Sequence, residues 1–408
     1  ETAGRAPIVS KEVYLDATYE LTVPIVSPDP VLLNGKIRGR GQSTWGHPKN
    51  PYKIQFKDDA GYAKLADVLG MPKNRNWVLL ADYFDRSLQR NKVALSLGSS
   101  SVFSDGLKWT PAGQHIEVHL NGDYVGVYLL TEDIRIAPGR LDIWKMSSDP
   151  AKNQVDGGYI VEVDFRLDCY NQGDLNLQLV TPWAVPICVD TPDEEAITQA
   201  QLAFIKGFIV GVERDIYELD KLDRINLVSF VDWYLLSELF RNVDSAFGSS
   251  VFMFKDTEAS AKPTDRLLNL GPLWDFDRSA GNVNYVDAWK TGGCWVNTSA
   301  NPNWLARLST KPAFADLVVS RWQAKRPALA TFINSSIDSY TLRLQEAQKR
   351  NFERWPILGM QMSNYYTWTT YDQEVQFLRS FLNERMAWLD LAYASAESFQ
   401  KLCVDSDY

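Results

Sequence analysis

The sequence predicts an α+β protein, with a sheet-rich N-terminal lobe joined to a helix-rich C-terminal lobe. Apolar and polar residues alternate with a period of two through most of the first half. From Asp193 onward the apolar spacing becomes helical. Asn121-Gly122, set between two alternating runs, marks a β-hairpin with a two-residue turn.

The elements follow in order. "KEVYLDATYELTV" alternates well, and "KIRGRGQSTW" and "PYKIQFKD" add two extended segments around "GHPKN". "DRSLQRNKVALSLGSS" predicts a helix with Asp85 as its N-cap. "QHIEVHL" and "DYVGVYLLTEDI" are the arms of the hairpin, and "GGYIVEVDF" and "LNLQLVTP" continue the strands. Pro192, Asp193 and two glutamates then suit the start of a helix running through "ITQAQLAFIKGFIVGVERDIY". "INLVSFVDWYLLSELFRN" is apolar nearly all round and reads as a central buried helix. Two short strands, "SSVFMFKD" and "RLLNLGPLWDFD", interrupt the helices, which resume from about Asn303 to Phe399. No repeat or low-complexity linker is present.

Composition narrows the function classes. A chain of 408 residues with 45% hydrophobic and 23% charged content is ordinary for a globular protein. A net charge of -9 disfavours nucleic acid as a partner. No stretch approaches the roughly 18 uninterrupted apolar residues of a transmembrane segment. The 14 tryptophans read first as core packing, because most sit beside aliphatic residues; sugar-stacking platforms are the other reading. The four cysteines form no C-x-x-C pair and the histidines number three, which argues against structural zinc. His115 and His119 read as surface residues of a strand. Cys169 and Cys188 are close enough in sequence to bridge neighbouring strands in an oxidising compartment. A start at "ETAGRAPIV" suits a trimmed export product as well as an arbitrary beginning.

Charged clusters carry the candidate chemistry. "RNVDSAFGSS" sets Asp244 directly after the buried helix, and "WDFD" supplies Asp275 and Asp277 after the two short strands. That order can bring three carboxylates to one cleft, as a Mg²⁺ site shared with phosphate requires. Read as a strand, "LWDFD" puts both acids on one face and Trp274 and Phe276 on the other. The plainer reading makes either acid a cap or an Arg partner. "RGRGQSTWGHPKNPYKIQF" holds Arg38, Arg40, Lys49 and Lys53, with Ser43 and Thr44 as donors and two glycines that admit a close ligand. No P-loop is present, so a solvated basic face is the default for this segment. Arg90 and Asn91 are candidates to reach inward, "LLTEDI" to contact a base, and Glu162 and Asp164 read as exposed acids of an edge strand. No Ser-His-Asp or Cys-His pattern emerges. Paired acids permit a glycosidase, but such an enzyme has no use for the basic glycine segment.

These blocks, in this order and over roughly residues 35–285, resemble the CotH kinase family, to which spore coat protein H belongs. The resemblance implies a bilobal, atypical protein-kinase-like fold, with lobes 1–133 and 134–408. It implies transfer of the γ-phosphate of ATP to a protein Ser or Thr with Mg²⁺ or Mn²⁺, and an extracytoplasmic, bacterial setting. Matched to the family's motifs, Asp244 is the catalytic-loop acid and Asp275 the metal ligand, with Asp277 as a second. Lys53 holds phosphate, Arg38, Arg40 and Ser43 line the phosphates, and Glu132 lies near the adenine. One position departs from the pattern: Ser249 stands five residues after Asp244, where many members carry Asn. The alternative is therefore a weak or inactive kinase-like protein that binds a cell-surface glycan or protein.

Overall fold

The computed structural model describes residues 1–23, 27–147, 154–169, 176–192, 197–297 and 303–405. It is a mixed α+β protein. The first half supplies β1 (Leu15–Val23), β2 (Ser27–Gly39), β3 (Tyr52–Lys57), β4 (Ala66–Val68), β5 (Met71–Asn74), β6 (Asn76–Leu80), α1 (Arg90–Gly98), β7 (Gly113–Leu120) and β8 (Asp123–Glu132). Six of these strands form an antiparallel sheet in the order β1-β2-β3-β6-β8-β7. The β7–β8 turn is the expected one: Leu120 pairs with Asp123, and Asn121 and Gly122 take φ of 55° and 96°.

The second sheet is built from β9 (Tyr159–Val163), β10 (Gln178–Val180), β11 (Pro186–Thr191), β12 (Val251–Lys255) and β13 (Asn269–Leu270), in the order β10-β11-β9-β12-β13. Two helices, α2 (Gln199–Arg214) and α3 (Leu227–Phe240), separate its first three strands from its last two. The short strands between the helices thus complete a sheet begun before them. β9 is central, not an edge, because it pairs with β11 on one side and β12 on the other, and Val161, Val189, Met253 and Leu270 form a buried apolar row across these strands.

The C-terminal part holds α4 (Trp304–Ser309), α5 (Pro312–Leu344), α6 (Ala347–Arg354), α7 (Tyr371–Ala392) and α8 (Ala396–Phe399). α3 is buried from Ser229 to Phe240 and packs on α5 and α7, as its all-round apolar sequence predicts. Among the described residues, no helix is long and apolar enough to cross a membrane.

Both faces of the first sheet are covered. Trp77, Leu79, Tyr128 and Leu130 pack into a core with Ile37, Ile54 and Phe56. Val78, Leu80, Val127 and Leu129 join the large core that runs through α1, α3 and the C-terminal helices. α6 docks on β8 at a bulge. Gly126 has φ 108°, and a Cβ there would come within 2.7 Å of Asn351 Oδ1. The glycine lets Asn351 accept from the Val127 N–H at 3.0 Å and from the buried Lys49 ammonium at 3.1 Å.

Three expectations need correction. Asp85 does not cap α1 as its N-cap residue, since the helix starts at Arg90. It still serves the helix start, accepting from the Arg90 N–H at 2.7 Å. α2 begins at Gln199 with Thr198 and Gln201 in a capping box, while the acids at 193–196 lie outside the described residues. His119 is exposed as expected, but His115 is half-buried with Nε2 at 2.7 Å from the Leu88 carbonyl. Burial lowers its pKa from 6.5 to about 4.

Two disulfides are present, Cys169–Cys188 and Cys294–Cys403. Near the second lies a fully buried ion pair, Arg385–Glu238, at 2.6 Å. Glu238 also accepts from the Trp295 and Val296 N–H groups, and Arg385 donates to the Thr291 and Gly293 carbonyls.

Arg385→Ala should cost about 3–5 kcal/mol, because it strands a buried carboxylate. The check is the midpoint of urea unfolding at unchanged slope. His115 makes the opposite kind of statement. Its folded pKa lies below the ordinary 6.5, so stability is full above 6.5 and falls as the pH drops towards 4. His115→Gln keeps a donor for Leu88 and should flatten the melting temperature over that window. Parallel melting curves for the two proteins from pH 7 to 4 would refute this role.

Candidate active site

A cleft of about 560 Å³ opens between the two sheets. The first sheet and its loops bring cations to it. Arg38 ends β2 and Lys53 lies on β3, and the register sets them directly opposite each other. Like charges opposed across a ladder are destabilising on their own. Arg38 is tethered to the Gly39 carbonyl at 3.1 Å and lies over the Tyr14 ring at 5.1 Å. Lys53 pairs with Asp133 at 3.0 Å. Beyond β2 the chain leaves its extended form: Gly41 takes φ 85°, and Ser43–Gly46 form a 3₁₀ turn, correcting the continuous strand expected through Trp45. Arg40 and Ser43 both line the cleft, and Arg40 sits over the Trp274 ring at 5.5 Å.

The second sheet and the loops around it bring acids. Glu162 and Asp164 of the β9 segment, and Asp190 of β11, line one side. Glu162 is therefore not an exposed edge acid, which corrects the sequence expectation. Burial, then Asp190 and Asp164, push its carboxyl up to about 8. Asp244 follows α3, whose end is stopped by Arg241 in a left-handed conformation, φ 44°. Burial, then Asp275, push Asp244 up to about 7.

The "WDFD" segment is not a strand. β13 ends at Leu270, and Asp275 itself has φ 63°. The alternation that would set Asp275 and Asp277 on one face is absent. A left-handed kink does that work instead: Trp274 and Phe276 are buried, Phe276 edge-on to Phe240 at 5.4 Å, and both acids line the cleft. Aspartate tolerates this conformation better than most residues. Asp82 and Ser250, also in the cleft, share it at φ 45° and 58°; such strain gathers at functional sites.

Short polar bonds hold this loop. Asn242 Nδ2 donates to the Asp275 carbonyl at 3.1 Å, and Ser250 Oγ to Asp275 Oδ2 at 3.3 Å. Asn91 Oδ1 accepts from the Phe276 N–H at 2.7 Å, while its Nδ2 donates to Asp82 at 2.8 Å. Arg90 is fully buried, paired with Asp85 at 2.6 Å and donating to the Ser279 carbonyl at 3.0 Å. Both residues reach inward.

Seven of the eight site residues expected from sequence line this one cleft: Arg38, Arg40, Ser43, Lys53, Asp244, Asp275 and Asp277. Glu132 does not. It is buried, accepting from the Ala112 N–H at 2.8 Å and facing Arg140 at 3.5 Å. The next residue, Asp133, just past the end of β8, lines the cleft in its place. Sequence reasoning also passed over Asp82, Asp133, Asp190 and Arg166 as lining residues. Asp133 falls inside "LLTEDI", and Asp82 follows the apolar run "NWVLLA"; both stand as polar breaks after apolar strands.

The donor chemistry fits a divalent cation shared with phosphate. Burial, then the Asp275 carboxyl, raises the pKa of both Asp244 and Asp277, so Asp275 disfavours charge on each of its two neighbours. Among the described residues no group of three or more His, Cys, Asp or Glu side chains stands ready to hold a metal alone. Mg²⁺ commonly takes one or two carboxylates and completes its shell with water and substrate phosphate.

Fold and cleft thus define a mixed α+β protein with a charged inter-sheet cleft, with most of its cations on one side and most of its acids on the other. A family model described as "CotH kinase protein" matches residues 37–389, and the chain belongs to that family. The match extends well past the motif-bearing region into the C-terminal helices. No curated protein matches the sequence.

Asn91→Ala leaves the Phe276 N–H and Asp82 unpartnered and should cost about 1–3 kcal/mol. Chemical unfolding measures the loss. A change under a few tenths would show that Asn91 does not hold the loop.

Proposed function

We propose that this chain is a two-lobed, kinase-like phosphotransferase, with the lobes meeting near residue 133. It passes the γ-phosphoryl group of ATP to a Ser or Thr hydroxyl of a protein substrate, outside the cytoplasm. The observation that carries the reading is the opposed Arg38–Lys53 pair facing Asp244, Asp275 and Asp277 across one cleft. Two cations set against each other call for an anion between them, and the triphosphate supplies one.

Each residue has a task. Arg38 and Arg40 bind phosphate oxygens, and the Ser43 hydroxyl donates to them. Lys53, steadied by Asp133, offsets their charge. A Mg²⁺ or Mn²⁺ ion at Asp275, with Asp277 beside it, would supply further neutralisation of phosphate charge. Asp244 orients the acceptor hydroxyl and takes its proton as the hydroxyl oxygen bonds to the γ-phosphorus. The bond from that phosphorus to the β–γ bridging oxygen breaks, and ADP leaves. The membership in a kinase-named family and the two disulfides are compatible with this reading and with an exported protein.

A second reading draws on Ser249, whose neutral hydroxyl already accepts from Arg166. It makes the chain a surface protein that binds a glycan or protein without turnover. Its ligand affinity would ignore Asp244→Ala and Asp275→Ala.

Calorimetry should detect ATP binding that depends on Mg²⁺ and is lost in Asp275→Ala. Asp244→Ala should keep nucleotide affinity within a few-fold and lose phosphate transfer by at least ~100-fold, the usual scale of a general-base contribution. No heat at millimolar ATP and Mg²⁺ would end the kinase reading and leave the binding-protein one.

A further inference from the structure

Ser249 is where the site departs from a kinase, and the structure shows what stands beside it. In protein kinases the side chain five residues beyond the catalytic-loop Asp is an Asn that holds a second Mg²⁺. Ser249 occupies that position relative to Asp244. Its hydroxyl is a weaker ligand than an amide carbonyl, and it accepts a hydrogen bond from the Arg166 guanidinium. The place of a cation is adjoined by a cation.

Arg166 is well fixed there. Asp164 holds its guanidinium at 3.0 Å, and the guanidinium lies 4.7 Å from the centre of the Phe165 ring. The Phe165 N–H donates to the Gly248 carbonyl at 2.8 Å, tying this segment to the chain just before Ser249. Gln178 Nε2 donates to the Leu167 carbonyl at 2.7 Å, and Cys169 is bonded to Cys188 of β11. Gln42, from the basic glycine segment of the other sheet, donates to Asp168. The 164–169 segment thus bridges the mouth of the cleft, and Arg166 lines it with Asp244 and Asp275. Its side chain stays 35% exposed, so donors remain free for a ligand.

We propose that Arg166 is a catalytic residue that takes the place of the second metal ion. Resting on the phosphotransferase reading, this makes the site a one-metal site. The guanidinium contacts the transferred phosphoryl group, and its fixed charge offsets the negative charge that shifts to the bridging oxygen as the bond to the γ-phosphorus breaks. The acceptor proton still passes to Asp244, and no further co-reactant is needed. Guanidinium is suited to this because its planar fork is always charged and matches phosphate oxygens in pairs. Asp164 and Ser249 act as positioning residues for it.

The test uses Mn²⁺ as the probe, counted by electron paramagnetic resonance against a saturating non-hydrolysable ATP analogue, together with calorimetry of ATP binding. The wild-type protein should hold one Mn²⁺ per bound nucleotide. Arg166→Met should weaken nucleotide binding about tenfold or more, the scale of a lost charge-assisted hydrogen bond. Arg166→Lys should restore part of it, and the double variant Arg166→Met/Ser249→Asn should take up a second Mn²⁺. Arg166 is exposed whereas Ser249 is buried, so thermal melts matching the wild type are required of each variant, and the Mn²⁺ count of the wild type with the single Arg166 variants carries the test if the double variant melts early. Two Mn²⁺ in the wild type overturn the proposal, as does ATP affinity unchanged in Arg166→Met. In both cases nucleotide binding itself survives and the phosphotransferase reading stands. An absence of nucleotide binding by the wild type overturns both.

Discussion

The cleft depends on one set of buried hydrogen bonds, those from Arg90 and Asn91 at the start of α1 to the 276–280 loop. Asn91 fixes the Phe276 N–H, and Arg90 fixes the Ser279 and Ala280 carbonyls. The Ala280 N–H in turn donates to the Phe240 carbonyl at 2.6 Å, at the end of α3. Asn242, two residues later, returns to the Asp275 carbonyl. The loop bearing Asp275 and Asp277 is therefore clasped between a helix of the first half and a helix of the second. A buried arginine is costly alone and is best tolerated when each of its nitrogens has a partner. Here Asp85, Ser87 and two carbonyls supply them. Because the network is satisfied, it can hold Asp275 in a left-handed conformation that the chain would otherwise relax.

The charges of the cleft are separated by architecture more than by contact. Arg38, Arg40 and Lys53 ride on β2, β3 and the turn after β2, and most of the acids on β9, β11 and the loops after α3 and β13, where Arg166 and Arg278 are the cations among them. Each sheet is rigid through its ladder and its own core, so the two sets cannot collapse onto each other. Lys53 shows the balance. It has a partner in Asp133, whereas among the described residues Arg38, directly opposite, donates to carbonyls and lies over the Tyr14 ring. The sheet holds a positive edge towards the cleft that its own side chains leave incompletely neutralised. The overall charge of -9 says nothing of this, because the local arrangement and not the sum sets the field at the site.

Much of the fold was legible where one local rule decided the outcome. Asn121-Gly122 specified its turn, the apolar run of α3 its burial, and the short β-branched run "YIVEV" the strand β9. The misses share a cause, which is tertiary context. "NWVLL" carries no alternation because both faces of β6 are buried, so it gave no period-two signal. "LWDFD" alternates in sequence but is bent by partners far along the chain, Asn91 and Asn242. Glu132 and Asp133 are one residue apart, and the step past the end of β8 exchanges the buried face for the cleft. The site residues on "RGRGQST" and "WDFD" were legible through charge and glycine placement. Arg166 was not, because nothing local distinguishes "DFRLD" from an exposed turn, and its meaning comes from Ser249 across the cleft.

The aromatic residues and the disulfides divide the remaining work. Trp77, Trp304 and Trp322 are buried, so most of the aromatic content is packing, as the plain reading held. The two disulfides act at different ranges. Cys294 and Cys403 are separated by 109 residues and both lie in the large core, beside the loop that Arg385 and Glu238 order. Closing so long a loop removes much entropy from the unfolded chain, about 4.7 kcal/mol in the chain-entropy model. This bond therefore bears on the whole C-terminal half. Cys169–Cys188 closes a separation of 19 and contributes less, about 3 kcal/mol on the same scale. Its position matters more than its energy. It anchors the 164–169 segment, and with it Arg166, to β11.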